Sequence, residues 1–214
     1  MISRVAPRML PRPDSAVYPW DPDRVCLLLC DDRALAGALE KRLVGRGWRV
    51  LVRTHDDATL TTHIGRVGAL ISVAPHTPAQ VTRSAGELLG DAREEAWLLA
   101  AFGFARTLSP QLNAPGAPRT WFVAVTRLDG KLGLGPSALA SGLVTAGAYG
   151  LVKTLRLEWP AVFCRAIDLD PSLDAAFAAE RIVEELHDPD ETLGEVGHRP
   201  EGRWTLEAIG DADA

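Results

Sequence analysis

The chain has 214 residues, of which 47% are hydrophobic and 24% charged, proportions that suit one soluble globular domain with a full core. A formal net charge of -5 gives no long-range attraction for phosphate backbones, so nucleic acid is not an expected partner. No apolar stretch reaches the ~18 residues of a membrane span, and the first residues lack the apolar run of a signal peptide, so a cytoplasmic protein is expected.

Residues 1–23 are Pro-rich and read as an extended arm over the surface, ahead of one domain from 24 to 214. RVCLLLC (24–30) is a short apolar run, the pattern of a buried parallel strand. A helix follows from Arg33 to Gly45, with Leu35, Ala38, Leu39 and Leu43 on one face. WRVLVR (48–53) reads as a second strand. The polar stretch THDDATLTTHIGR is too short and too β-branched for a full helix, and VGALISVAP (67–75) is a third strand. Pro78 opens a helical region to about Leu108, which Gly86 and Gly90 can divide and which Pro110 and the NAPGAP loop end. TWFVAVTR (120–127) is a fourth strand. The loop DGKLGLG (129–135) leads to a helix from Pro136 to Glu158, stopped by Pro160. VFCRAIDLD (162–170) is a fifth strand, and 172–187 is a helix with Ser172 as its N-cap. GEVGHRPEGRWTLEAI (194–209) reads as a closing hairpin around Pro200–Gly202.

Strands alternating with helices predict an α/β fold with a mainly parallel sheet covered on both faces. The expected architecture is a truncated Rossmann-like doubly wound sheet. It has about five parallel strands, helices on both faces and a C-terminal strand pair. Cys26, Cys30 and Cys164 form no disulfide framework, and on a strand the first two lie about 13 Å apart. They are expected to be buried free thiols.

In such folds a ligand sits beyond the C-terminal ends of the strands, usually at the first strand-to-helix turn. A dinucleotide needs glycine there, so that backbone can approach the pyrophosphate. The turn here is CDDRALAG, with no glycine before Gly37, which lies inside the helix. Asp31 and Asp32 stand where phosphate would lie. Helix capping and solvation account for them better than a metal or a nucleotide base does. The glycine-dense loop with Lys131 matches no phosphate-binding spacing and reads as a structural turn.

Tyr149-Gly-Leu-Val-Lys153 has the Tyr-x-x-x-Lys spacing by which short-chain reductases lower a tyrosine pKa for proton transfer, and Ser137 and Ser141 lie upstream. The pair sits well inside a helical region, and the chain lacks a hydride-donor site, so the match is read as coincidence. His55, His63, His76, His187 and His198 are scattered, without metal-ligand spacing, and are expected on the surface or in loops. Trp159 and Trp204 are expected to pack rather than stack on a ligand.

SGLVTAGAYGLVKTLRLEWPAVFCRAIDLDP (141–171) resembles the first, structural half of the ketoreductase region of type I polyketide synthases and polyunsaturated fatty acid synthases. VTRLDGKLGLG (125–135), LPRPDSAVYPWDPDRVCLLLCDD with GWRVLV, and GHRPEGRW are similar to other parts of that half, so the resemblance spans nearly the whole chain. It implies a non-catalytic structural subdomain with no cofactor, metal or catalytic residue of its own. The implied partners are an NADPH-dependent catalytic half, expected to follow Ala214, and neighbouring synthase domains. Two rival expectations are a minimal short-chain reductase acting through Tyr149 and Lys153, and a docking module for an acyl carrier protein. For the latter the sequence offers no basic cluster.

Overall fold

The computed structural model describes residues 4–57, 64–75, 92–116, 118–135 and 143–209. They build β1 (Arg4–Leu10), β2 (Arg24–Leu29), α1 (Arg33–Val44), β3 (Val50–Arg53), β4 (Arg66–Val73) and α2 (Ala92–Leu112). There follow β5 (Thr120–Thr126), α3 (Gly147–Glu158) after a tight turn at Leu143–Ala146, β6 (Val162–Leu169), α4 (Ala175–Leu186), β7 (Glu195–Arg199) and β8 (Gly202–Ile209).

The strands form one eight-stranded sheet in the order β1-β8-β7-β6-β5-β4-β2-β3. Pairing is parallel from β3 across to β7, and β7–β8 and β8–β1 are antiparallel. Within the parallel block the first strand, β2, lies between the second and the third. This is the doubly wound arrangement of the dinucleotide-binding order 3-2-1-4-5-6 with its outer strand 3 missing and one further parallel strand, β7, added beside β6. The missing unit falls after β3, where the described residues 54–57 and 64–65 are not helical.

Each strand feeds two cores because helices cover both faces. Cys26, Leu28 and Cys30 of the first strand, and Trp121, Val123 and Val125 of β5, pack against α1 and α4. The alternating residues Leu27, Leu29, Phe122 and Ala124 pack against α2 and α3. A strand with two buried faces must be apolar throughout, which is why these runs show no polar alternation. All three cysteines are free and buried, and burial pushes the Cys30 and Cys164 thiols up to about 12.

Three local readings need correction. The N-terminal arm does not merely lie over the surface: β1 pairs along its full length with β8, from Arg4 opposite Ile209 to Leu10 opposite Arg203. The return segment buries aromatic area, with Trp20 stacked on Trp48 at 4.2 Å and Tyr18 edge-on to Trp121. Pro110 does not stop its helix, which continues to Leu112. The carbonyl that Pro110 leaves unpaired belongs to exposed Arg106 and can meet water, while Thr120 Oγ1 donates to the Leu112 carbonyl at 2.7 Å. Ser172 is not the N-cap of α4. Asp174 is, accepting from Phe177 N at 2.7 Å, and Ser172 N instead donates to Asp170. The segments 78–91 and 136–142, including Ser137 and Ser141, lie outside the described residues, as do His63 and His76.

Candidate functional site

The strand order reverses at β2, so the crevice beyond the C-terminal ends of β2 and β4 is where a doubly wound fold takes its ligand. Asp32 caps α1 there, accepting from Ala34 N and Leu35 N at 3.0 and 3.1 Å. It also pairs with Arg127 at 3.1 Å. The helix N-terminus that would hold a phosphate thus already holds the chain's own carboxylate.

Asp31 does not cap. It accepts His55 N at 3.1 Å, lies 3.2 Å from His55 Nδ1 and 3.5 Å from Arg93. On the far side of the imidazole, His55 Nε2 is 3.5 Å from Ser72 Oγ, which accepts the indole N–H of Trp97 at 3.0 Å. Burial pushes the Asp31 carboxyl up, but the His55 hydrogen bonds and charge outweigh it and leave Asp31 below the usual carboxylate range. Burial also lowers His55, against the opposing pull of Asp31. The sequence Asp–His–Ser has the order of a hydrolytic triad. Ser72 is nevertheless fully buried and its hydroxyl is taken by Trp97, so no substrate atom can reach it. The array links the end of β2, the turn after β3 and strand β4. Beside it, a cleft of about 460 Å³ lies over the ends of β2 and β3, lined by Arg33, Arg53, Asp31, Glu40 and Asp57 among others.

The loop after β5 is a nest of backbone N–H groups whose acceptors are the chain's own carboxyl groups. Asp168 accepts from Leu128 N (2.8 Å), Leu132 N (2.9 Å) and Thr126 Oγ1 (2.9 Å). Asp129 accepts from Lys131 N and Gly133 N at 2.8 and 2.9 Å, and also from Gly135 N. Both carboxyls are fully buried. Burial first, then the adjacent Asp129, raises Asp168 to about 7, against the pull of Leu128 N–H and Thr126. Lys131 lies over the Trp204 ring at 4.0 Å.

Tyr149 and Lys153 make different partnerships. The Tyr149 hydroxyl is buried and bonds Thr126 Oγ1 at 2.9 Å. Burial, then the Asp168 charge, pushes its pKa well above the ordinary value, opposite to what a proton-donating phenol needs. Lys153 pairs with Glu195 at 3.0 Å. Trp159 is buried with its ring edge-on to Phe122 at 6.0 Å.

Of the three described histidines, His55 and His187 lie in turns as expected, although His55 is half-buried and His187 buried. His198 is buried inside strand β7 and overturns the reading. His198 Nε2 meets Glu185 Oε1 at 2.8 Å inside an ionic cluster that sequence reasoning missed. Arg203 binds both Glu185 oxygens at 2.7 and 2.8 Å, and Arg165 donates to Glu185 and Asp188 at 2.7 and 2.8 Å. Arg203 also donates to Asp188. Burial raises the Glu185 carboxyl, but His198, Arg203 and Arg165 outweigh it and bring it down to about 2. The members come from β6, the end of α4, β7 and β8, and nothing in their spacing announces the meeting. Among the described residues, no group of three or more His, Cys, Asp or Glu is arranged to hold a metal ion.

No family model matches the chain, and no curated protein does. Solved structures do. A short-chain dehydrogenase/reductase from Serratia marcescens superposes with a TM-score of 0.57 at 15% identity, covering 81% of this chain and 94% of its own. The bulky-bulky ketone specific alcohol dehydrogenase from Comamonas testosteroni gives 0.56 at 14% identity, covering 80% and 85%. The fold is that of the short-chain dehydrogenase/reductases. A third match is a multidomain structure with adenylation, ketoreductase and pseudo-Asub domains from a keto acid-selecting NRPS module. It reaches 0.68 at 13% identity and covers 97% of this chain but 18% of its own. At such identities the likeness concerns the short-chain dehydrogenase/reductase fold alone.

Proposed function

We propose that this chain is a non-catalytic structural subdomain that supports an NADPH-dependent β-ketoacyl reductase half within a polyketide or polyunsaturated fatty acid synthase. One observation carries the reading: the ligand crevice of a reductase-type fold is occupied by the chain's own Asp32–Arg127 and Asp31–His55–Ser72 contacts. A dinucleotide would have to displace two carboxylates and break their bonds. The match to a multidomain synthetase over 97% of the chain, against 81% for the Serratia reductase, supports a fold adapted to a larger assembly. The Tyr149 hydroxyl and the Lys153 ammonium are each engaged elsewhere, which disfavours a minimal reductase.

The role needs stiffness rather than chemistry. The buried ionic cluster ties β7 and β8 to β6 and α4, and β8 in turn holds β1. The test has two parts. Titration of this chain with NADPH, followed by nucleotide fluorescence, should show no saturation in the micromolar range. Mixing the chain with a separately produced reductase half should raise that half's NADPH-dependent reduction of a β-ketoacyl thioester. Saturable NADPH binding by this chain, or a reductase half indifferent to it, sinks the reading.

A further inference from the structure

Beside the ends of β7 and β8, far across the sheet from the β2 crevice, lies another cavity of about 250 Å³. The β7–β8 hairpin, the first turns of α4 and the arm that leaves β1 at Leu10 close it. Four of its lining residues are arginines, Arg12, Arg181, Arg199 and Arg203, and one is acidic, Glu201. Three of the guanidinium groups are pinned. Arg203 gives Nε and Nη2 to Glu185 and Asp188, and Arg199 pairs with Asp170 and Glu201. Arg181 lies 2.7 Å from both Glu180 and Glu184. Apart from Glu201, these carboxylates stand outside the cavity lining, so they orient the arginines without filling the space.

One buried donor is left over. The Arg181 side chain is 5% exposed, yet its Nε has no hydrogen-bond partner. A buried donor without an acceptor is a cost that folds rarely carry. Arg12 is exposed at the same cavity, and its guanidinium makes no ion pair among the described residues. The apolar part of the lining includes Leu10, Pro200 and Phe177, whose ring centroid is 4.6 Å from the Arg181 guanidinium carbon.

We propose that this cavity binds a small organic anion, its phosphate or carboxylate head on Arg12 and the Arg181 Nε–H, its short apolar body against Phe177 and Pro200. Both heads offer what the site lacks, a negative charge with several oxygen acceptors for guanidinium donors. The volume sets the size. It falls below the ~300–1,000 Å³ of drug-sized pockets, so a body of about ten non-hydrogen atoms fits and a dinucleotide does not. Arginines already held by carboxylates need little reordering to take the anion, which favours binding. The site is independent of the supporting role proposed above, and its test needs no reductase half.

Titration of the isotope-labelled full chain with phenyl phosphate, benzoate and phenol tests this, followed by the arginine Nε–H signals in nuclear magnetic resonance. At least one of the two anions is expected to saturate with a Kd on the order of 1 mM or tighter and to shift the Arg181 Nε–H signal. Which anion binds more tightly identifies the head group. Arg12→Ala, outside the core, should keep its circular dichroism spectrum and weaken binding about tenfold. Arg181→Lys keeps the charge, removes the Nε–H and should weaken binding similarly. Arg33→Ala, at the cleft over β2 and β3, should change nothing. The proposal is overturned if neither anion saturates by roughly 20 mM, or if neutral phenol binds as tightly as the anions. Binding indifferent to Arg12→Ala, or weakened by Arg33→Ala, overturns it as well.

Discussion

Asp168 and Glu185 are both carboxyl groups sealed from water, and their surroundings drive them in opposite directions. Asp168 is raised from 3.8 to about 7, so the folded state holds a proton that the unfolded chain has released. Its contribution to stability is present below the ordinary value and lost as pH rises through about 7. Between about pH 5 and about pH 8 the wild-type Tm should therefore fall more steeply than that of Asp168→Asn, as followed by thermal circular dichroism. Equal slopes would refute the buried proton. Glu185 is lowered from 4.5 to about 2, so its contribution is present above the ordinary value and lost as pH falls toward the folded one. Glu185→Gln should flatten that acid-side loss. At neutral pH it should also cost about 3–5 kcal/mol in urea unfolding, because Arg165 and Arg203 are left buried with one partner fewer. At Tyr149 the expectation is mild: Tyr149→Phe removes one hydrogen bond and should cost about 1 kcal/mol. Ketoreduction by an assembled synthase should stay near wild type, whereas loss of a general acid typically costs ~100-fold or more.

The elements depend on a few close contacts that tolerate no added atom. The loop after β5 crosses β7 so closely that a Cβ at Gly197 would lie 2.3 Å from the Gly130 carbonyl oxygen. A Cβ at Gly130 would lie 2.3 Å from the His198 carbonyl oxygen, and Gly130 has φ +67° besides. Both obstacles are backbone and cannot move aside. Gly197→Ala should destabilise by roughly 2–3 kcal/mol or more in chemical denaturation. Gly103→Ala, in open space on α2, should stabilise the monomer by about 0.5–1 kcal/mol. A Gly197→Ala protein of wild-type stability would mean that the loop does not press on β7. At the junction of α3 and β6, Trp159 caps the helix and packs on Phe122. Trp159→Ala should cost ~3–5 kcal/mol, and should affect reduction in an assembled synthase only through loss of folded protein.

At the scale of the molecule, the sheet is a doubly wound frame that carries the Asp31 and Asp32 contacts beyond the end of β2 and extends its far edge past the parallel block. β8 and β1 lengthen the sheet beyond the parallel block, and the arm that leads from β1 returns across the core through Tyr18 and Trp20. Removing residues 1–10 would expose the β8 edge and should promote association or aggregation on gel filtration. An elution profile and stability unchanged from the full chain would show that β8 needs no such cover.

The alternation of strands and helices, the apolar runs of the central strands and the glycine-free first turn were all legible in the sequence. Each rests on neighbours along the chain: a strand covered on both faces is apolar over its whole length, and an aspartate before a helix caps it. The cap of α4 moved by two residues because several acceptors compete in one turn, and proximity alone does not rank them. What tertiary structure decided lies between distant segments. Asp31 met His55 rather than its own helix, because the parallel pairing of β2 with β3 brings their ends together. Arg165, Glu185, His198 and Arg203 found one another only once β6, α4, β7 and β8 had packed. Tyr18 and Trp20 carry no periodicity, and the arm that bears them was held by the core it reached. Local burial patterns are written in residue spacing. Which polar groups share a dry interior is set by topology, since any buried charge must take the partner that the fold brings within reach.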